Sequence, residues 1–512
     1  MPAPSAIVIG SGFGGLAAAI RLQSMGMRTT LIEARERAGG RAYVYEQDGF
    51  TFDAGPTVIT DPSSLEELFA LSGRRMSDYV EMLPVEPFYR LLWEDGVVFD
   101  YVNDQAELDR QIQALNPPDV AGYRRFLAYS QKVFEEGYLK LGHVAFLDPG
   151  SMLKAAPRLM QLQAWRSVYS MVARFVKEPH LRQALSFHTL LVGGNPFASS
   201  SIYALIHALE RKWGVWFPRG GTGALVQGLV RLFQDLGGQV RLASPVQQIT
   251  TADERVTGVR LACGETLQAD LVVSNADVMH TYAALLKDQP RGRAMGRRLA
   301  RRRFSMSLFV VYFGLKRRHE HLRHHTILFG PEYKSLVDDI CGAKPLREDF
   351  SIYLHSPSVT DETLAPEGCS THYALVPVPN LRQPIDWAAE GPRFADKILA
   401  SLEARAIPGL REDLATLKIF TPDDFKSQLN AHLGAAFSLE PILSQSAYFR
   451  VHNRDAALRN LYFVGAGTHP GAGVPGVVGS AKATARVIAE DLRERGIDLA
   501  VRPDAAAAAD AA

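Results

Sequence analysis

The chain carries a glycine-paved turn near each end, and this pair constrains the fold more than anything between them. The first reads Ala6-Ile-Val-Ile-Gly-Ser-Gly-Phe-Gly-Gly-Leu-Ala-Ala-Ala-Ile20, and the second Asn460-Leu-Tyr-Phe-Val-Gly-Ala-Gly-Thr-His-Pro-Gly-Ala-Gly-Val-Pro-Gly-Val-Val-Gly479. Each runs out of a short apolar strand and into a helix, with side chains stripped away so that backbone can lie against something large and flat. Two such turns, one at each end, suggest one long cofactor gripped by both.

Ile7-Val-Ile9 is a β-branched run of the kind a buried parallel strand takes. It enters a G-x-G-x-x-G turn (Gly10, Gly12 and Gly15, with Gly14 between) and then a helical segment over 16–25. Gly10 permits the tight turn, Gly12 lets a pyrophosphate approach the backbone, and Gly15 lets helix and strand pack closely. The phosphates then meet the unpaired N–H groups and positive dipole end of the helix. Glu33 ends a second apolar run at about the ~20-residue interval of a ribose-binding acid. A carboxylate there accepts from free ribose hydroxyls and repels a 2′-phosphate, favouring FAD or NAD over NADP; the plainer alternative is a solvated strand-end charge. Gly39, Gly40 and Arg41 offer a second approach to phosphate, although Arg41 could equally be a surface cation. Phe50-Thr-Phe-Asp53-Ala-Gly55-Pro-Thr57 supplies a third. Three approaches exceed what NAD needs and suit a longer flavin dinucleotide.

At 512 residues the chain is too long for one ordinary core, so two or three domains are expected. Its 47% hydrophobic and 22% charged residues are those of a soluble globular protein. A net charge of +1 gives no global attraction to nucleic acid. Cys263, Cys341 and Cys369 lie far apart without CxxC spacing, so neither a metal site nor a disulfide framework is expected, and a reducing compartment fits. Residues 6–22 lack the cationic lead of a signal peptide, and no stretch approaches the ~20 uninterrupted apolar residues of a spanning helix.

Between Gly55 and Gly220 the pattern is mainly helical, as in the runs 65–71 and 123–139. After Phe217 to Gly223 it changes to a helix over 224–236 and then short strands at 240–242, 246–249, 256–261 and 271–273, a return to the nucleotide-binding domain. Seven arginines between Arg291 and Arg303 precede the apolar run 304–315, which reads as a buried strand with solvated flanks or, alternatively, a contact with anionic lipid. Over 152–176, Leu153, Met160 and Trp165 share a segment with Lys154, Arg158 and Arg166. Such a segment is either an interfacial helix or an ordinary one with a face on a core. Ile202, Leu205, Ile206, Leu209 and Trp213 recur at helical spacing and read as core; Trp216 and Phe217, beside a glycine turn, are candidates to line a cavity.

Glu33 with Gly39-Gly40-Arg41 resembles the flavin amine oxidase superfamily. Within it, Phe50 to Thr60, Val192 to Phe197, Trp213 to Gly223 and Asn460 to Gly479 resemble the bacterial and fungal phytoene desaturases of carotenoid synthesis. The resemblance implies an α/β fold with a discontinuous Rossmann-like FAD-binding domain (1–80, 218–282 and 455–495). It further implies an inserted α+β substrate domain (81–140, 190–217 and 283–454), a helical membrane-associated region (141–189) and a disordered tail (496–512). Carried over, Gly10, Gly12 and Gly15 face the pyrophosphate, Glu33 the adenosine ribose and Arg41 the phosphates, with Gly14, Gly40 and Thr57 close by. Val246 meets adenine through its backbone, Gly467 and Thr468 lie near the ribityl chain, and Val477 and Val478 present N–H groups to the isoalloxazine. Amine-oxidase relatives commonly carry an acid where Thr468 stands, which argues against that branch.

The implied reaction is FAD-dependent conversion of phytoene to lycopene in four steps. Its substrate, a forty-carbon hydrocarbon, requires an apolar tunnel and docking at a membrane surface, because burial is worth roughly 0.8 kcal/mol per CH₂. Flavin takes a hydride and a weak base or water takes the neighbouring proton, so no catalytic triad is expected. His469 is the candidate base, weighed against a structural histidine bonded to backbone. One complete strand–GxGxxG–helix unit leaves no built-in NAD site, so electrons pass to oxygen or a membrane quinone. The expected location is cytoplasmic, peripheral to the inner membrane. Rival readings are a carotenoid isomerase, a desaturase stopping at neurosporene, a flavin amine oxidase and a non-catalytic flavin-binding carrier.

Overall fold

The computed structural model describes residues 3–499. Of the expected tail, 500–512 lies outside the described residues, while Ile497 and Leu499 pack against a hydrophobic core. Strand Ser5–Ile9 is the centre of a five-stranded sheet in the order 461–463, 271–274, 5–9, 28–32, 239–241. Every neighbouring pair is parallel. Such a sheet is covered on both faces, and its strands alternate accordingly. Ala6 and Val8 face a helical layer, where helix Phe13–Ser24 meets helices Gly221–Asp235 and Val474–Arg493; the small side chains of Ala17, Ala18 and Ala19 permit that approach. Ile7 and Ile9 face the other way, onto an antiparallel three-stranded sheet of Val246–Ala252, Arg255–Leu261 and Thr266–Gln268.

A second sheet has seven strands, in the order 414–420, 307–315, 370–378, 352–355, 325–328, 89–92, 98–101. All its pairings are antiparallel except that of His325–Leu328 with Tyr89–Leu92. Strand Ser307–Leu315 is buried throughout, as its apolar run requires. Leu308, Val310 and Tyr312 look into one core; Phe309, Val311 and Phe313 look into another, beneath helix Trp387–Arg405. The arginine-rich segment forms helix Pro290–Ala300 and its exit, and two of its arginines are fixed internally: Arg291 to Asp455 at 3.1 Å and Arg303 to Glu440 at 2.7 Å.

Four strands interrupt the stretch expected to be mainly helical: Met82–Pro84, Tyr89–Leu92, Val98–Tyr101 and Trp216–Pro218. At three or four residues each they are too short to show a two-residue period against helical neighbours. The helix expected from 224 starts at Gly221, because the buried Asp53 carboxylate accepts from the N–H groups of Thr222 at 3.0 Å and Gly223 at 3.3 Å. Burial pushes the Asp53 carboxyl up to about 6 despite those donors. Among the described residues no helix is long and apolar enough to cross a membrane.

Candidate cofactor and substrate site

A parallel sheet exposes unpaired backbone at the carboxyl ends of its strands, and a ligand settles there. All five strands of the first sheet feed one cavity of about 640 Å³ in this way. Its wall takes Gly10 to Gly14 after strand 5–9, Glu33 to Arg35 after 28–32, and Ser244 to Val246 after 239–241. Asn275 to Asp277 follow 271–274, and Gly465 and Ala466 follow 461–463.

The first turn has no room for side chains. A Cβ on Gly12 would stand 3.1 Å from Asn275 Nδ2, and one on Gly14 2.7 Å from Asn275 Oδ1. Glu33 is 6% exposed: its Oε2 accepts from Ser11 N–H at 2.9 Å and Ser11 Oγ at 2.6 Å, and its Oε1 accepts from Arg35 N–H at 3.0 Å. Oε1, with one donor, retains acceptor capacity toward the cavity. Half-buried Arg41 donates to the carbonyls of Ala436 at 2.6 Å and Ala435 at 3.3 Å. Enclosure lowers the proton affinity of its guanidinium, and Asp277 partly offsets this. A cation so enclosed, held by neutral carbonyls beside a glycine cradle, suits an anionic ligand such as a pyrophosphate. These residues fit FAD.

Of the residues expected to hold the cofactor, Gly10, Gly12, Gly14, Glu33, Gly40, Arg41, Thr57, Val246 and Val477 line the cavity. Gly15, Gly467, Thr468 and Val478 stand behind its wall. A Cβ on Gly15 would fall 1.9 Å from Gly10 O, so this glycine serves the helix–strand crossing, and one on Gly467 would meet Val278 at 2.3 Å. Thr468 is fully buried, donating to Gly465 O at 3.1 Å and sharing a 2.6 Å hydrogen bond with Ser480 Oγ. Val478 joins the helical core. His469 is also behind the wall. Its Nε2 donates to Leu141 O at 2.8 Å, Phe146 packs edge-on to the ring, and burial pushes the imidazole down to about 4. That is the geometry of a structural histidine. Asp53 and Asp148 are likewise structural, each accepting from an N–H group in the first turn of a helix.

Sequence reasoning missed Arg35, Ser244, Pro245 and Asn275 to Asp277. Each directly follows a strand, so the rule that ligands sit at parallel strand ends was the available signal.

Beyond Gly55 the cavity continues between the seven-stranded sheet and the helices, where Leu190, Leu191, Ile206, Leu209, Ile327 and Phe329 form its wall. The expected roles of two segments are exchanged. Leu205, Ile206 and Leu209 line the cavity rather than only filling core, whereas Trp216 and Phe217 do not line it. Phe217 is fully buried, paired to Leu83 and packed on His324. At this end Thr57, Tyr353 and Tyr373 bring three hydroxyls together. A further buried polar group, which the sequence did not disclose, surrounds Glu210: Tyr89 donates to it at 2.7 Å and His188 Nε2 lies 3.1 Å away.

Over residues 13–489 the chain matches the family described as flavin containing amine oxidoreductase. It is 62% identical over 488 residues to a phytoene desaturase (lycopene-forming) of Pseudescherichia vulneris, covering 95% of this chain and 99% of that one. A phytoene desaturase (neurosporene-forming) of Cereibacter sphaeroides is 44% identical, with 96% of each chain covered. The crystal structure of an oxidoreductase from Methanosarcina mazei superposes with a TM-score of 0.64 at 17% identity, over 94% of this chain and 100% of the other, and so shares the fold. The chain belongs to the flavin-containing amine oxidoreductases, in the branch of the bacterial phytoene desaturases.

Proposed function

We propose that this chain is an FAD-dependent desaturase that converts phytoene to lycopene. The observation that carries the reading is the continuity of one cavity from the ends of the parallel strands into an apolar channel. An amine oxidase requires a polar end to hold its substrate; here leucine, isoleucine and phenylalanine predominate at the far wall, with Thr57, Tyr353, Tyr373 and Glu210 among the polar groups that also line the cavity. Identity of 62% to a lycopene-forming relative against 44% to a neurosporene-forming one favours the longer polyene.

When bound, FAD supplies two-electron hydride acceptance. The protein's part is positioning: the glycine turns and Arg41 fix the dinucleotide, and the apolar wall holds the polyene and excludes water. Oxygen or a membrane quinone would take up the electrons removed from the substrate. Helix Pro149–Gln161 supports docking at a bilayer, with Leu153 71% and Met160 65% exposed seven residues apart on one face, Trp165 57% exposed just beyond, and Lys154 and Arg158 among them. On this reading the chain works at the cytoplasmic surface of the inner membrane.

Purified protein with FAD and phytoene in liposomes should develop the visible absorption of lengthening polyenes, ending at lycopene. Unchanged phytoene accompanied by amine turnover would reverse the assignment, and a purely geometric change in the carotene would make it an isomerase.

A further inference from the structure

Each desaturation removes a hydride from one carbon and a proton from its neighbour, and the electron pair of the second C–H bond becomes the new π bond. On the desaturase reading, on which this inference rests, FAD takes the hydride. The proton must leave a cavity with a hydrocarbon wall.

Thr57 Oγ1 lies at that wall, 2.6 Å from Tyr373 Oη and 3.1 Å from Tyr353 Oη. Tyr353 Oη is in turn 2.7 Å from His325 Nδ1. His325 pairs directly across the sheet with His355, and His324 joins them, so that ring nitrogens of all three lie within 4.8 Å of one another. All three imidazoles are buried, and the Nε2 atoms of His324 and His325 and both nitrogens of His355 have no hydrogen-bond partner. His324 Nδ1 lies 2.6 Å from the hydroxyl of Thr360, a half-buried residue beside exposed Val359. Buried ring nitrogens left unpaired cost free energy, and their convergence along one line between cavity and surface calls for a role.

We propose that Thr57, Tyr353, His325 and His324 form a proton exit from the reaction cavity to the surface at Thr360, with Thr57 touching the substrate. The substrate proton adds to Thr57 Oγ1 as the Thr57 hydroxyl proton passes to Tyr353 and the Tyr353 proton to His325 Nδ1. Both hydroxyls end neutral and His325 carries the charge. Because the free ring nitrogens lie within 4.8 Å of one another but are not hydrogen-bonded, His325 then gives its Nε2 proton to a free ring nitrogen of His324 through a bridging water beside His355, and His324 releases its Nδ1 proton past Thr360 to water. Tyr373 donates to Thr57 and is a positioning residue. Burial lowers the proton affinity of all three imidazoles, so they rest neutral with lone pairs available. A C–H bond beside an allylic cation is acidic enough that a weak base suffices.

The holoenzyme in phytoene-loaded liposomes tests this. Tyr353→Phe and Thr57→Val, both nearly isosteric, should each slow polyene formation about 100-fold, the scale of one acid–base group. FAD content should be unchanged in Tyr353→Phe, Thr57→Ser should restore the rate, and the double variant should be no slower than the worse single one. In ¹⁵N-histidine-labelled protein, assigned with His325→Gln, the His325 Nδ1 resonance should be that of an unprotonated acceptor and should move in Tyr353→Phe. Wild-type turnover in Tyr353→Phe, a Thr57→Ser variant as slow as Thr57→Val, a protonated His325 Nδ1, or a stoichiometric metal ion among the three histidines would overturn the exit while leaving the desaturase reading intact. Failure of the wild-type protein to convert phytoene would overturn both.

Discussion

Glu33 ends strand Arg28–Ile32 with one carboxylate oxygen occupied by Ser11 and the other by the backbone of Arg35, so it ties the first glycine turn to the second strand while facing the cavity. Glu33→Ala therefore removes both a ligand contact and a brace. Charged hydrogen bonds are worth roughly 1.5–3 kcal/mol, which corresponds to an FAD dissociation constant about 10- to 100-fold higher. Fluorescence titration of apoprotein measures it, and wild-type affinity in the variant would exclude the ribose role. Glu33 was legible because a charge closing an apolar run, at a fixed interval from a glycine motif, fits few roles besides holding a ribose. Thr468 and Val478 show the limit of that legibility. They share a turn with cavity-lining residues yet point inward, because which side chain of a turn faces a ligand depends on backbone dihedrals and on partners such as Ser480 that no spacing rule encodes.

At the level of elements, strands Ser5–Ile9, Leu271–Ser274 and Leu461–Phe463 of the first sheet and its glycine turns could be read from sequence, since parallel strands buried on both faces are mainly apolar; Arg28–Ile32 and Gln239–Arg241, toward the other edge, carry polar residues. The segment 152–176 held two structures that a single pattern could not separate. Helix Pro149–Gln161 leaves Leu153 and Met160 in solvent, whereas helix Val168–Val172 turns Val168, Met171 and Val172 into the core. Both carry large apolar side chains; what differs is whether a neighbouring element covers them. A Leu153→Ser, Trp165→Ser double variant should retain FAD but float with liposomes at least about tenfold less, given roughly 1.5–3 kcal/mol for each large apolar side chain withdrawn from water. Equal flotation would show that another surface docks.

Across the whole molecule, buried histidines tie stability to pH. Burial pushes His324 and His372 down to about 3 and lowers His325 and His355 as well, from the usual value of 6.5. Below about pH 6.5 the unfolded chain binds more protons than the folded one, so stability is full above that pH and falls as pH drops toward the folded values. His324 and His372 each remove roughly 2 kcal/mol by about pH 5, and His325 and His355 act in the same direction. Asp53, raised to about 6, acts in the opposite sense between 3.8 and 6, and Glu86 and Glu440, whose carboxyls burial also raises, act in that sense as well; the lowered imidazoles outnumber them. Calorimetry should give a clearly lower Tm near pH 5 than near pH 7.5; an equal or higher one would contradict this burial. The order of strands in the first sheet bears on synthesis too. Strand 5–9 has 28–32 as an early neighbour, but its other edge waits for 271–274, which waits in turn for 461–463, so the sheet is completed only from the middle and far end of the chain. A nascent chain stalled before residue 461 presents a bare, apolar strand edge, an invitation to aggregation that chaperones must cover until the final strand arrives.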